Sequence, residues 1–236
     1  MKKKLERYYS HRAHTYEDLD EPRSIVACVR TIGVKDHMRI ISPKRDDKIL
    51  DVGCGIGRFL KPFSISKVYG ADMTSDMLEK AKDLGIPLTR CDGEYLSFKD
   101  RSFDITHSAG LLGVYRSRKI IDEIARVTKS GGRIFVSFPA ANSVSGFVVS
   151  LFRRLRYNPS LLDFWYTEEE IREMFPKNAR VSKIYRLGWE PPFQRLVKEI
   201  KSEFLSKSFM FLEGRLRDKP VFKYFGGRFL VEAVKH

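Results

Sequence analysis

Short apolar runs alternate with helical patterns through the middle of the chain. "DKILDVG" is an apolar run that ends in glycine, and a helical "GRFLKPFS" follows it. "KVYGADM" is a second run, succeeded by "SDMLEKAKDLG", an amphipathic helix with Gly85 placed as its C-cap. "IPLTRCD" and "SFDITHSA" read as third and fourth strands. "RKIIDEIARVTKSGG" is a helix with apolar residues at Ile120, Ile121, Ile124, Ala125 and Val127, closed by a glycine pair, and "RIFVSFP" is a fifth strand. Strands alternating with helices of about ten residues predict an α/β fold with a parallel sheet covered on both faces.

The flanks read differently. Residues 1–45 look helical and carry the aromatic and histidine cluster "RYYSHRAHTYED". After Pro139, "VSGFVVSLFRRLRYNPS" predicts an apolar, then basic helix broken by Pro159. "TEEEIREMF" has the spacing of a capping box, with Thr167 accepting from the N3 amide and Glu170 reaching back. "ARVSKIYRLGW" predicts a sixth strand. "PPFQRLVKEIKSEFLSKSFMFLEGRL" predicts a long amphipathic helix entered through two prolines. "GGRFLVEAVKH" does not alternate strictly, and so predicts a strand buried on both faces.

Composition changes this picture only through charge. Hydrophobic residues make up 42% and charged residues 31% of 236 positions, an ordinary globular balance. No apolar run approaches the roughly 20 residues that span a bilayer, and the basic opening leads into no apolar signal region. The three cysteines, Cys28, Cys54 and Cys91, form no zinc-type cluster, so no metal site and a reducing, cytoplasmic setting are expected. The net charge is +14. Residues 1–45 hold 11 Lys/Arg against 6 Asp/Glu, residues 46–144 hold 15 against 13, and residues 145–236 hold 18 against 11. The excess sits in the flanks, where it suits an anionic partner such as RNA or an anionic membrane surface.

Ligands of open α/β sheets bind beyond the carboxyl ends of the strands. After the first strand come Asp51 and Gly53, Gly55 and Gly57; after the second, Asp72 and Met73; after the third, Asp92, Gly93 and Glu94; after the fourth, His107, Ser108 and Ala109. A phosphate-binding P-loop is absent, and position 58, where a dinucleotide fingerprint needs glycine, holds Arg58. A rim of carboxylates repels pyrophosphate but accepts hydrogen bonds from a ribose diol and tolerates a positively charged nucleoside.

"LDVGCGIGRFL", "VYGADMTSDMLEKAK", "CDGEYLSFKDRSFDITHSAGLLG" and "RVTKSGGRIFVSFP" occur in order and with fitting spacing. This segment, Leu50 to Phe138, resembles the class I S-adenosylmethionine-dependent methyltransferases, specifically the small-molecule, quinone-biosynthesis-like type 11 group. The resemblance implies a Rossmann-like, seven-stranded and mostly parallel sheet with its last strand antiparallel and helical elements capping it at both chain ends. It implies S-adenosylmethionine as cofactor and S-adenosylhomocysteine as product. Asp51, Gly53, Cys54, Gly55 and Gly57 would then lie around the methionine moiety. Asp72 would hold the ribose hydroxyls, Met73 would pack on adenine, and Asp92, with Gly93 and Glu94 beside it, would accept from the adenine amino group. Ser108 and Ala109 would present main-chain groups near the methyl.

The expected reaction is in-line methyl transfer, in which alignment and exclusion of water matter most. His107, where the fourth strand ends, and Tyr16, in the N-terminal segment, are the candidate catalytic residues. The expected organisation is a helical lid over 1–45, a methyltransferase core over 46–189 and 227–236, and a helical insertion over 190–226 that caps the substrate. A small-molecule or lipid-like acceptor is the leading expectation. The alternative is an RNA or protein substrate gripped by the basic flanks, although the Asp/Asn-Pro-Pro-aromatic motif of adenine N-methylation is missing after the fourth strand. A cytoplasmic protein, peripheral to the membrane in the lipid version, follows from the same reading.

Overall fold

The structure, a computed structural model, describes residues 2–13, 24–155, 164–189, 202–216 and 226–236. Two helices, α1 (Lys2–Ala13) and α2 (Ile25–Ile41), precede the alternating core: β1 (Lys48–Val52), α3 (Leu60–Phe63), β2 (Lys67–Asp72), α4 (Ser75–Ala81), β3 (Leu88–Arg90), β4 (Phe103–Ser108), α5 (Leu111–Val114), α6 (Arg118–Val127) and β5 (Thr128–Pro139). There follow α7 (Val144–Arg154), α8 (Glu168–Met174), β6 (Ala179–Trp189), α9 (Glu203–Leu216) and β7 (Gly226–Lys235). The seven strands form one sheet in the order β3-β2-β1-β4-β5-β7-β6. Pairings through β5 are parallel, and β7 runs antiparallel to both β5 and β6. The strand order therefore reverses between β1 and β4, which opens a crevice at their carboxyl ends.

The apolar pattern maps onto the two sheet faces. Leu50 and Val52 of β1 join Ile120, Ile121, Ile124, Ala125 and Val127 of α6 and Ile171 of α8 on one face. Ile49 and Ile105 join Ile41, Leu60 and Phe63 on the other. Phe229, Val231 and Ala233 of β7 belong to the first cluster and Leu230 to the second, so this strand is buried on both sides. Thr167 and Glu170 form the capping box of α8, and Gly85 terminates the helical turn after α4 at φ +65°.

Two local expectations are corrected. The helix before the fifth strand ends at Val127, not at the glycine pair, because β-branched Thr128 already pairs with Phe103 and returns its hydroxyl to the Ile124 carbonyl. Gly131, at φ +76°, and Gly132 then sit inside β5, where the register slips between Phe103 and Ile105. The proline entry to the last long helix, the tail of the α7 pattern including Pro159, and Tyr16 lie outside the described residues.

Candidate active site

At the crevice, Val52, Gly53, Ala71, Asp72, Met73, Cys91, Asp92, Gly93 and Leu96 line a narrow cleft of about 40 Å³, with Leu111 and Tyr115 beside them and Lys2 and Leu5 of α1 above. Asp72 is fixed by the backbone. Its Oδ2 accepts from the Gly55 amide at 2.9 Å and its Oδ1 from the Thr74 amide at 2.8 Å. Burial pushes the Asp72 carboxyl up, and the two amides only partly offset this. The Thr74 side chain is a third donor to this carboxylate, which as a four-site acceptor still has room for a ligand hydroxyl. Asp92 makes an Asx turn with the Glu94 amide at 2.9 Å and pairs with Lys2 at 2.6 Å.

Glu94 gathers three donors, Lys2, Ser117 and Tyr115. Burial works to raise its pKa, but those hydrogen bonds outweigh it and hold the carboxyl below its ordinary value. The strap that brings Lys2 here is a polar stripe on α1 at every fourth residue. Lys2 meets Asp92 and Glu94, Glu6 meets Arg90 at 2.9 Å, and Ser10 meets Asp76.

The glycines of the β1 turn divide by role. Gly53 (φ +74°) lines the cleft, and an added Cβ would come within 3.3 Å of the Leu111 side chain. Gly55 (φ +54°) faces open space. Gly57 (φ +85°) packs away from the cleft, with Leu84 Cδ1 only 2.4 Å from where its Cβ would be. The missing side chains at 53 and 55 and the two acids suit a nucleoside with an amino-acid tail, so the residues present fit S-adenosylmethionine.

A family model described as a methyltransferase domain matches residues 50–136. The demethylmenaquinone methyltransferase of Corynebacterium urealyticum is 28% identical over 158 residues, covering 61% of this chain and 68% of that protein. A solved SAM-dependent methyltransferase from Thermotoga maritima, described as a possible histamine N-methyltransferase, superimposes with a TM-score of 0.70 at 16% identity, covering 97% of this chain and 98% of that one. Residues 50–136 therefore carry a methyltransferase domain. An uncharacterised protein of Methanocaldococcus jannaschii is 37% identical over 98 residues, which cover 41% of this chain and 47% of that relative, so the chain spans about half its length.

Of the residues singled out in the sequence, the methyltransferase domain brings Gly53, Asp72, Met73, Asp92 and Gly93 together in the cleft. Glu94 stands beside it on Lys2, and Ala109 is half-buried just past β4. Asp51, Cys54 and Ser108 are buried instead. The Ser108 hydroxyl donates to the Val52 carbonyl at 2.8 Å, and burial pushes the Cys54 thiol up. His107 does not reach the cleft. Its side chain is 0% exposed, with Nδ1 2.8 Å from Asp51 and Nε2 2.8 Å from His37. That environment gives it no access to a methyl acceptor. Lys2, Leu5, Leu111 and Tyr115 were not singled out for the cleft from the sequence, and the strand-end inventory gives no signal for residues delivered by helices.

Proposed function

We propose that this chain transfers the methyl group of S-adenosylmethionine to a small, apolar or lipid-like acceptor. The observation that carries the reading is Asp72, whose carboxylate is held by two backbone amides in the wall of a cleft that Asp92, just past β3, also lines. When bound, the cofactor supplies an activated methyl group on a sulfonium. Asp72 orients the ribose, and Asp92 receives the adenine amino group. Val52, Ala71, Met73 and Leu111 exclude water around them. The turn at Gly53 and Gly55 lets the backbone approach the methionine portion. Alignment by these groups supports an in-line displacement without a dedicated base.

Similarity to a demethylmenaquinone methyltransferase favours a lipid-like acceptor. In the same reading residues 1–45 act as a lid and 190–226 as a substrate cap. Exposed apolar residues support contact with a membrane surface: Val144, Phe147, Leu151 and Leu155 recur every three or four positions along α7 beside Arg153 and Arg154. No helix among the described residues is long and apolar enough to cross a bilayer.

Calorimetric titration of S-adenosylhomocysteine into the wild-type chain and Asp72→Ala tests the cofactor site. Methyl-labelled S-adenosylmethionine added with a cell extract tests the acceptor. Label extracted into organic solvent supports the reading, whereas label confined to RNA or protein overturns it.

A further inference from the structure

Helix α1 has two faces with different surroundings. Its inward stripe, Lys2, Glu6 and Ser10, is engaged by Asp92 and Glu94, by Arg90 and by Asp76. Lys3, Lys4, Arg7 and Tyr8 are exposed on the outer face. Glu6 is the only acid of the helix, so that outer face carries no negative charge. Among the described residues, none of Lys3, Lys4 and Arg7 has an ion-pair or hydrogen-bond partner. The cationic face runs on to the start of α6. There the Lys119 ammonium lies 3.3 Å from the centre of the exposed Tyr95 ring, and Lys2 lies 5.5 Å from the same ring. Cations gathered on one face in this way attract an anionic surface.

An anionic bilayer fits this face better than a nucleic acid does. The cleft lies at the carboxyl edge of the sheet, and α7 begins at the same edge. Ser108 at the end of β4 pairs with Val136, and β5 runs on only to Pro139 before α7 starts at Val144. The exposed Val144, Phe147, Leu151 and Leu155 of α7 suit the apolar boundary of a bilayer, for which a phosphodiester backbone has no counterpart. Such a surface also discriminates between two positions of α1. Docked on the cleft, the helix offers it Lys3, Lys4, Arg7 and Tyr8. Released, the same helix adds the Lys2 charge and Leu5, which otherwise lines the cleft. Lipid phosphates compete with Asp92 and Glu94 for Lys2, and the Glu6–Arg90 pair, with Arg90 61% exposed, is of a kind that holds weakly. A ligand that binds one of two states more tightly shifts the balance toward that state.

We propose that an anionic lipid surface docks on the outer face of α1 and draws the helix off Asp92, opening the cofactor cleft toward the bilayer. The inference rests on the methyltransfer reading above and adds a partner and its effect on cofactor entry. The test uses the full chain with vesicles of phosphatidylcholine alone or mixed equally with phosphatidylglycerol. Flotation should recover the chain with the mixed vesicles only. Equilibrium dialysis of labelled S-adenosylhomocysteine should show an affinity about three- to tenfold higher on the mixed vesicles than in solution. Lys3→Gln, Lys4→Gln and Arg7→Gln combined should weaken flotation and abolish that gain. Affinity in solution should stay unchanged, because these three side chains do not line the cleft. Lys2→Ala, already free of Asp92, should float but gain little. Equal flotation with both vesicles, no flotation with either, flotation without a change in affinity, or a gain that survives in either variant overturns the assignment. So does a gain produced by bulk transfer RNA and not by the vesicles. The two failures stay apart. S-adenosylhomocysteine that binds in solution but ignores the vesicles removes only the α1 inference; S-adenosylhomocysteine that binds in neither condition removes the methyltransfer reading.

Discussion

His107 Nδ1 lies 2.8 Å from Asp51 Oδ1, and the two residues face each other in register across β4 and β1. A carboxylate only accepts, so Nδ1 carries a proton, and Nε2 lies 2.8 Å from His37 Nδ1. Burial, reinforced by His107 and Arg228, holds His37 well below the ordinary imidazole value and keeps it neutral. The three groups form a buried polar chain packed against Phe59 and Phe63. Removing His107 leaves the Asp51 carboxylate buried without its donor. His107→Ala should therefore lower unfolding free energy by about 3 kcal/mol in urea titrations. A variant of unchanged stability whose turnover alone collapses would return His107 to a catalytic role.

Asp72 should govern cofactor affinity and its acid limit. A charge-assisted pair of ribose contacts corresponds to an affinity loss on the order of ten- to hundredfold in Asp72→Ala. The sign of the pH effect follows from the raised pKa. The carboxylate form is the binding form, so affinity falls as pH drops through a value above the ordinary 3.8. Titrations of S-adenosylhomocysteine across acid pH check this. An Asp72→Ala chain with the same acid limb would assign it to another group.

The elements and the acids were legible because each rests on a local signal: an apolar run, a turn glycine, an acid one step beyond. Helix α6 is an example, since five apolar positions at helical spacing are all buried. The position of His107 along the sheet was legible too, but not the face it occupies. Side chains alternate across a strand, and Ile105 and His107 share the face of Ile49 and Asp51, away from Val52 and the cleft. Strand-end counting gives height on the sheet and leaves the face open. Lys2 and Tyr115 were hidden for a different reason, because their places depend on helices folding back over strands far away in sequence.

Gly57 separates packing from binding within one turn. Its positive φ and the 2.4 Å approach of Leu84 mean that Gly57→Ala must shift Leu84 or the turn. A stability loss of about 1–3 kcal/mol is expected. Leu84→Ala in the same chain should recover the steric part, leaving the backbone part. Gly55→Ala meets no neighbour, so its loss should appear in cofactor affinity beyond the strain of its φ. Thermal unfolding of the set with calorimetry alongside decides. If Leu84→Ala and Gly57→Ala are simply additive, the clash is not the cause.

Lys2 occupies the acid that the adenine amino group would use, and the cleft beneath α1 is about 40 Å³, well under the roughly 300 Å³ of small ligand sites. On the proposed binding mode, cofactor entry requires α1 to release Asp92, and the apparent affinity is reduced by the closed fraction. Lys2→Ala removes the anchor at Asp92 and Glu94 while Glu6–Arg90 and Ser10–Asp76 remain. Cofactor affinity should rise about three- to tenfold, chiefly through faster association. Acid should loosen the same contact. Glu94 has a lowered pKa, so its grip on Lys2 is complete above the ordinary carboxylate range and is lost as pH falls through that lowered value. Hydrogen exchange over residues 2–13, read with stopped-flow binding, tests both. A Lys2→Ala chain that binds the cofactor more weakly would make α1 part of the binding surface and not a barrier to it.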